Sequence, residues 1–194
     1  MQTKRKLQII DESINLIAEK GITGFSIKSL SKSIGISEQS IYLHFENKTD
    51  ILLDILNYFK EMTILMKVMA SESNHSAMDK ISYLFEKIID IIDETPAILT
   101  IIFSDEILKN EKTLKNKIIE VIDTNGKILE NIIQEGQNKN EIRNDINAKI
   151  LTIFFLGALR FQIKRWDLCN YNFNLKEEVT ILILSFKTIL SRNN

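Results

Sequence analysis

Proline occurs once in the 194 residues (Pro96), cysteine once (Cys169), tryptophan once, histidine twice and glycine six times. Proline removes a backbone donor and glycine loses the most freedom on ordering, so their scarcity permits a chain that is helical almost throughout. One cysteine excludes an internal disulfide framework and any multi-cysteine metal site. His44 and His75 lie far from each other and from Cys169 in sequence, the first inside a helical motif and the second in a polar linker. The acid pairs Asp93-Glu94 and Asp105-Glu106 are adjacent, so on a helix their carboxylates point in different directions, and no Gly-rich phosphate loop is present. The expectation is a non-enzyme with no cofactor and no metal.

Long hydrophobic runs are also missing. The densest, ILTIIF (98–103) and ILTIFFLGAL (150–159), are too short to span a bilayer, and the N-terminus is polar and then amphipathic, unlike a signal peptide. A soluble, cytoplasmic protein with no membrane partner is expected. The net charge of −1 leaves no global attraction for a polyanion. Residues 1–50 hold 7 Lys/Arg against 6 Asp/Glu, a net of +1, so nucleic-acid binding would have to come from local placement of charge.

What is present is helical periodicity. Leu7, Ile10, Ile14 and Ile17 form one stripe over residues 3–20, and Gly21 can close that helix. Ser26 is an N-cap type, with Phe25 and Leu30 placed as a hydrophobic staple, and Gly35 ends a helix of about two turns. Ser37 repeats the device, opening a helix predicted over 38–45. Asn47, with Asp50 three residues on, opens a third that runs to about Met69. After the polar break ASESNHSA (70–77), stripes predict helices at about 77–93, 96–109, 112–136, 146–166 and 175–191, with no strand and no internal repeat.

Two short helices joined by a Gly-containing turn are the helix-turn-helix pattern. Such a unit needs inward residues to fix the angle of the second helix, here Leu30, Ile34, Ile36, Ile41 and Phe45. It needs outward residues at the start of that helix to enter a major groove. Gln39 can pair bidentately with adenine and Ser40 is less selective. Ser26, Lys28, Ser37, Tyr42, His44 and Lys48 supply donors suited to phosphate contact. A helical hairpin with no nucleic-acid role has the same spacing, and an all-helical small-molecule sensor that does not bind DNA is the alternative to a regulator.

The segment GITGFSIKSLSKSIGISEQSIYLHFENKTDIL resembles the DNA-binding half of the TetR/AcrR family of transcriptional regulators. The resemblance rests on Gly21, Phe25-Ser26, Leu30, Gly35-Ile36-Ser37, Tyr42-Leu43-His44-Phe45, Lys48 and Ile51-Leu52. Ser31, Ile34 and Gln39 depart from the small residues the family often has there. NEIRNDINAKILTIFFLGALRFQIKRW (140–166) is similar to a second family stretch, in which an Ile/Leu-Arg-x-Asp turn leads into a helix ending near a Trp.

The resemblance implies an all-α fold. It has an N-terminal three-helix helix-turn-helix domain (1–48), a connecting helix (48–69) and a C-terminal ligand-binding and dimerisation domain (70–194). It implies a repressor that binds a palindromic double-stranded DNA operator as a homodimer and is released by a small hydrophobic or amphipathic effector. The last two helices would pair with their copies, using Phe154, Phe155, Ala158, Leu159, Trp166, Ile181, Leu184 and Phe186. Candidates to line an effector cavity are Met62, Met66, Phe85, Ile88, Phe103, Phe155 and Trp166, with Asp105, Glu106, Arg160 or Gln162 as polar anchors. Each of these apolar residues is also what a plain helical core would contain.

Overall fold

The computed structural model describes residues 4–71, 75–104 and 111–190. Among them there are nine helices and no strand: α1 (Lys4–Gly24), α2 (Ile27–Ile34), α3 (Glu38–Tyr42), α4 (Lys48–Ser71), α5 (Ala77–Glu94), α6 (Ala97–Ile102), α7 (Lys112–Asn138), α8 (Ala148–Leu168) and α9 (Leu175–Leu190). The periodicity places every one of these. The departures are at helix ends: α1 runs on to Gly24, α3 ends at Tyr42 and not at Phe45, and α6 ends at Ile102. The predicted helix 96–109 is seen as α6, beginning after Pro96, and the residues beyond 104, with Asp105 and Glu106, lie outside the described residues. The expected stop at Gly21 is a break inside α1, with φ 68° and ψ 175°, a region open to glycine.

The chain forms two compact units. The first comprises residues 1–61 and 92–121, so it holds more than the N-terminal segment the sequence marks out. Here α1 packs on α6 and on α2, and α2 on α3. Its interior is built from Ile9, Ile17, Phe25, Leu30, Ile41, Ile51 and Ile55, each at most 1% exposed. Burying a side chain of this size contributes roughly 1.5–3 kcal/mol, and such residues dominate what holds the unit together. Ser13 is buried among them and satisfies its hydroxyl on the Ile9 carbonyl at 2.6 Å. Lys6 pairs with Asp54 at 2.5 Å and lies over the Phe45 ring.

The second unit comprises residues 62–91 and 122–194. Phe85, Phe155 and Phe186 form its aromatic centre. The first two rings meet edge to face at 6.1 Å, and the second and third stack at 3.9 Å. The α7 backbone approaches α5 so closely that a Cβ on Gly136 would lie 2.5 Å from the Ala77 Cβ. Gln137 is buried and donates to the carbonyls of Arg143 and Ile146, which ties down the polar turn after α7. In that turn Arg143 makes a two-point contact with Asp145 at 2.7 and 2.6 Å, and its backbone N–H donates to the Leu190 carbonyl at the end of α9. Helices α8 and α9 pack on each other. The turn between them is held by Trp166, whose indole N–H donates to the Phe173 carbonyl at 2.9 Å and whose ring meets Tyr171.

Candidate nucleic-acid interface

Helix α2 starts where Ser26, in extended conformation, turns its hydroxyl back to accept from the Ser29 backbone N–H, while the Ser29 hydroxyl accepts from the Ser26 N–H. This reciprocal box satisfies two donors that the first turn would otherwise leave unpaired. The helix ends at Gly35, whose left-handed φ of 75° and ψ of 34° let its N–H return to the Ser31 carbonyl. Ile36 donates to the same carbonyl, and one residue later Ser37 caps α3 by accepting from the Ser40 N–H at 3.1 Å. The chain therefore reverses within three residues. Leu30, Ile41 and Phe45 are buried below the turn, while Ile34 and Ile36 are half-buried.

The outward side of this pair is polar. Gln39 and Lys28 are exposed, and Tyr42 is 50% exposed with its ring and hydroxyl at the end of α3. Leu43, which the sequence places in the Tyr42–Phe45 motif without a contact role, is 82% exposed. His44 is half-buried. Ser26, Ser37 and Ser40 spend hydroxyl contacts on helix caps, with Ser37 and Ser40 also 2.8 Å from each other. Lys48 has a partner that no local pattern foretells. Its ammonium donates to the Ile22 carbonyl at 2.6 Å and lies 5.6 Å from the centre of the Phe25 ring. It thus braces the end of α1 against the start of α4.

A shallow concavity of about 660 Å³ opens beside Tyr42, Leu43 and His44. Its other wall carries Glu46, Asp50 and Asp54, so its charge is wrong for a phosphate. Asp50 is committed locally: its carboxylate accepts from the Glu46 N–H while its own N–H donates to the Asn47 side chain.

The expected effector residues separate. Phe85 and Phe155 meet in the centre of the second unit, where Met66 is also buried and Met62 half-buried. Trp166 is buried in the α8–α9 turn, and Arg160 is exposed beside a groove lined by Gly126, Ile153 and Leu156. Phe103 belongs to the first unit. Of the residues expected at a subunit contact, Phe155, Leu159, Trp166 and Phe186 are buried within the one chain, whereas Phe154, Ile181 and Leu184 are 57–59% exposed. Ile150, Phe154, Phe161 and Leu168 extend that outer apolar side along α8, so this helix is hydrophobic on both faces.

Among the described residues no group of acids, cysteines or histidines could hold a metal ion, and no helix is long and apolar enough to cross a membrane. Residues 9–55 match the family model described as bacterial regulatory proteins, tetR family, and residues 58–185 match that of the YsiA-like protein, C-terminal region. The fatty acid metabolism regulator protein of Bacillus subtilis is 27% identical over 182 residues, covering 90% of this chain and 91% of that one. The solved structure of the fatty acid degradation regulator FadR from Bacillus halodurans shares the fold with a TM-score of 0.86 at 20% identity, over 96% of each chain. That of FadR from Bacillus subtilis in complex with stearoyl-CoA has a TM-score of 0.80 at 23% identity, over 95% of this chain and 97% of that one.

Proposed function

This chain belongs to the TetR family of bacterial regulatory proteins, is a DNA-binding transcriptional regulator and not an enzyme, and we propose that it is a repressor released from its operator by a fatty acyl-CoA. The observation that carries the DNA half is the presentation of Gln39 and Tyr42 on a five-residue helix braced from below by Leu30, Ile41 and Phe45. Gln39 and Ser40 read base edges. Tyr42, His44 and Lys28 contact phosphates, and the cap residues Ser26 and Ser37 hold two helix starts in place. Lys48 acts first as a brace, so its part in DNA binding is to fix the entry of α4.

The protein works as a homodimer in the cytoplasm, joined through the outer faces of α8 and α9. Beside its charged residues α8 carries an outer apolar strip of Ile150, Phe154, Phe161 and Leu168 that nothing among the described residues covers, and a second copy would cover it. Two recognition helices would then address successive major grooves of a palindrome, with half-sites about 34 Å apart. The effector half is supported by the relative named as a fatty acid metabolism regulator and by the neighbour held with stearoyl-CoA. The buried Phe85, Phe155 and Met66 offer the apolar surroundings that an acyl chain needs. Coupling of such an effector to DNA is typically about 1–3 kcal/mol, or several-fold to a hundred-fold in affinity.

The test is a gel shift against the DNA flanking its own gene. Tyr42→Phe and Lys28→Ala together should weaken binding to every sequence and reduce its salt dependence, and Gln39→Ala should change which base is preferred at one position. Unchanged binding in the double variant would remove the phosphate assignment.

A further inference from the structure

The inner stripe of α7 in the second unit contains Ile128, Leu129, Ile132 and Ile133, none more than 6% exposed. Counting back three, four and seven residues along that stripe leads to Asn125, so the helix turns this side chain toward the same interior. One residue on, a Cβ built on Gly126 would lie 4.0 Å from the Leu156 side chain of α8. Asn125 differs from its stripe mates in two ways. It is only half-buried, so part of it borders accessible space, although it occupies an inward position. Its Oδ1, by contrast, is sealed, and no group among the described residues donates to it.

A buried acceptor without a donor is unfavourable, and native proteins keep few of them. Leucine would fit the stripe without that penalty. The torsion that carries an Asn amide is broad and roughly two-fold, so the amide can turn to meet a donor that enters beside it. What it lacks is a donor. An ionised carboxylate offers none, because it only accepts. The pantetheine arm of a coenzyme A thioester offers amide N–H groups, the nearer of them two methylenes from the thioester sulfur.

We propose that Asn125 is the polar anchor of the effector site, its Oδ1 accepting an amide N–H from the pantetheine arm of an acyl-CoA. This rests on the effector reading above and adds a discrimination to it: the site selects the thioester over the free fatty acid. The apolar interior holds the chain, and Asn125 recognises what is attached to it.

The experiment uses the full chain with stearoyl-CoA and stearate as probes, measuring affinity by calorimetry and release of operator DNA by gel shift. Wild type should bind stearoyl-CoA more tightly than stearate. Asn125→Leu and Asn125→Ala should each bind operator like wild type, lose roughly 10-fold or more in stearoyl-CoA affinity, and keep their stearate affinity. Variants that bind stearoyl-CoA as wild type does, or that lose both probes alike, reduce Asn125 to a packing residue and overturn the inference while leaving the effector reading intact. A wild type that prefers stearate overturns it without recourse to any variant. A wild type that binds neither probe overturns the effector reading and this inference together. An internal water satisfying Oδ1 would show as variants with unchanged thioester affinity.

Discussion

Lys48 and Glu120, both in the first unit, show how a charged residue answers to neighbours far along the chain. Lys48 sits where a helix N-terminus would favour an anion, yet its ammonium is drawn to the Ile22 carbonyl and the face of Phe25. That partner is 26 positions away in sequence, beyond the reach of any local pattern. Glu120, in the first unit, is exposed and flanked by Lys117 and Lys60, which hold its carboxyl at about 2 against an ordinary 4.5. A carboxylate whose folded pKa is depressed contributes stability above the ordinary value, and that contribution is lost as pH falls through the lower one. Resistance to denaturant, followed by circular dichroism, should therefore decline slightly between pH 4.5 and about 2. Glu120→Gln should decline less over that window, and the difference should shrink in high salt because the pair is at the surface. A variant with the same acid profile as wild type would show that the flanking ammoniums contribute nothing to folding.

The starts of α2, α3 and α4 and the end of α2 have reasons written within four residues of the boundary. Ser26, Gly35, Ser37 and Asn47 were legible because a cap is local chemistry, a side chain reaching a backbone group one turn away. The second half of the Ser26 box was not read, since Ser29 performs a task usually given to Glu or Gln. The end of α3 departs from the pattern for a different reason. Phe45 looks like the last member of a helical stripe, but its burial is obtained from a turn in which both His44 and Phe45 donate to the Ile41 carbonyl. Asn125 is not legible in the sequence, because a polar residue inside an apolar stripe has no periodic signature of its own. Ser26→Ala should cost about 1 kcal/mol in denaturant unfolding, and it should weaken operator binding at the same time, because α2 sets the angle of α3. A loss of stability with full DNA affinity would mean that the cap serves folding alone.

The whole molecule carries an outer apolar side on α8 and α9 that one copy leaves in water, with Phe154, Phe161, Ile181 and Leu184 each more than half exposed. Replacing Phe154 and Leu184 together by Glu should leave the folded chain at the mass of a monomer in sedimentation. It should also remove operator binding, because a single recognition helix spans one half-site. A double variant that still sediments as a dimer would place the subunit contact elsewhere. The architecture was legible in the sequence to the level of helix order. The division of residues between the two units was not, since the placement of 92–121 depends on contacts far along the chain. Trp166 is the only tryptophan, and it is bonded into the turn at the end of α8. Indole emission therefore samples the C-terminal unit and is silent on α1 to α3. A solution in which the DNA-reading helices had frayed would still look intact to a fluorimeter, and only a probe introduced near Tyr42 would reveal it.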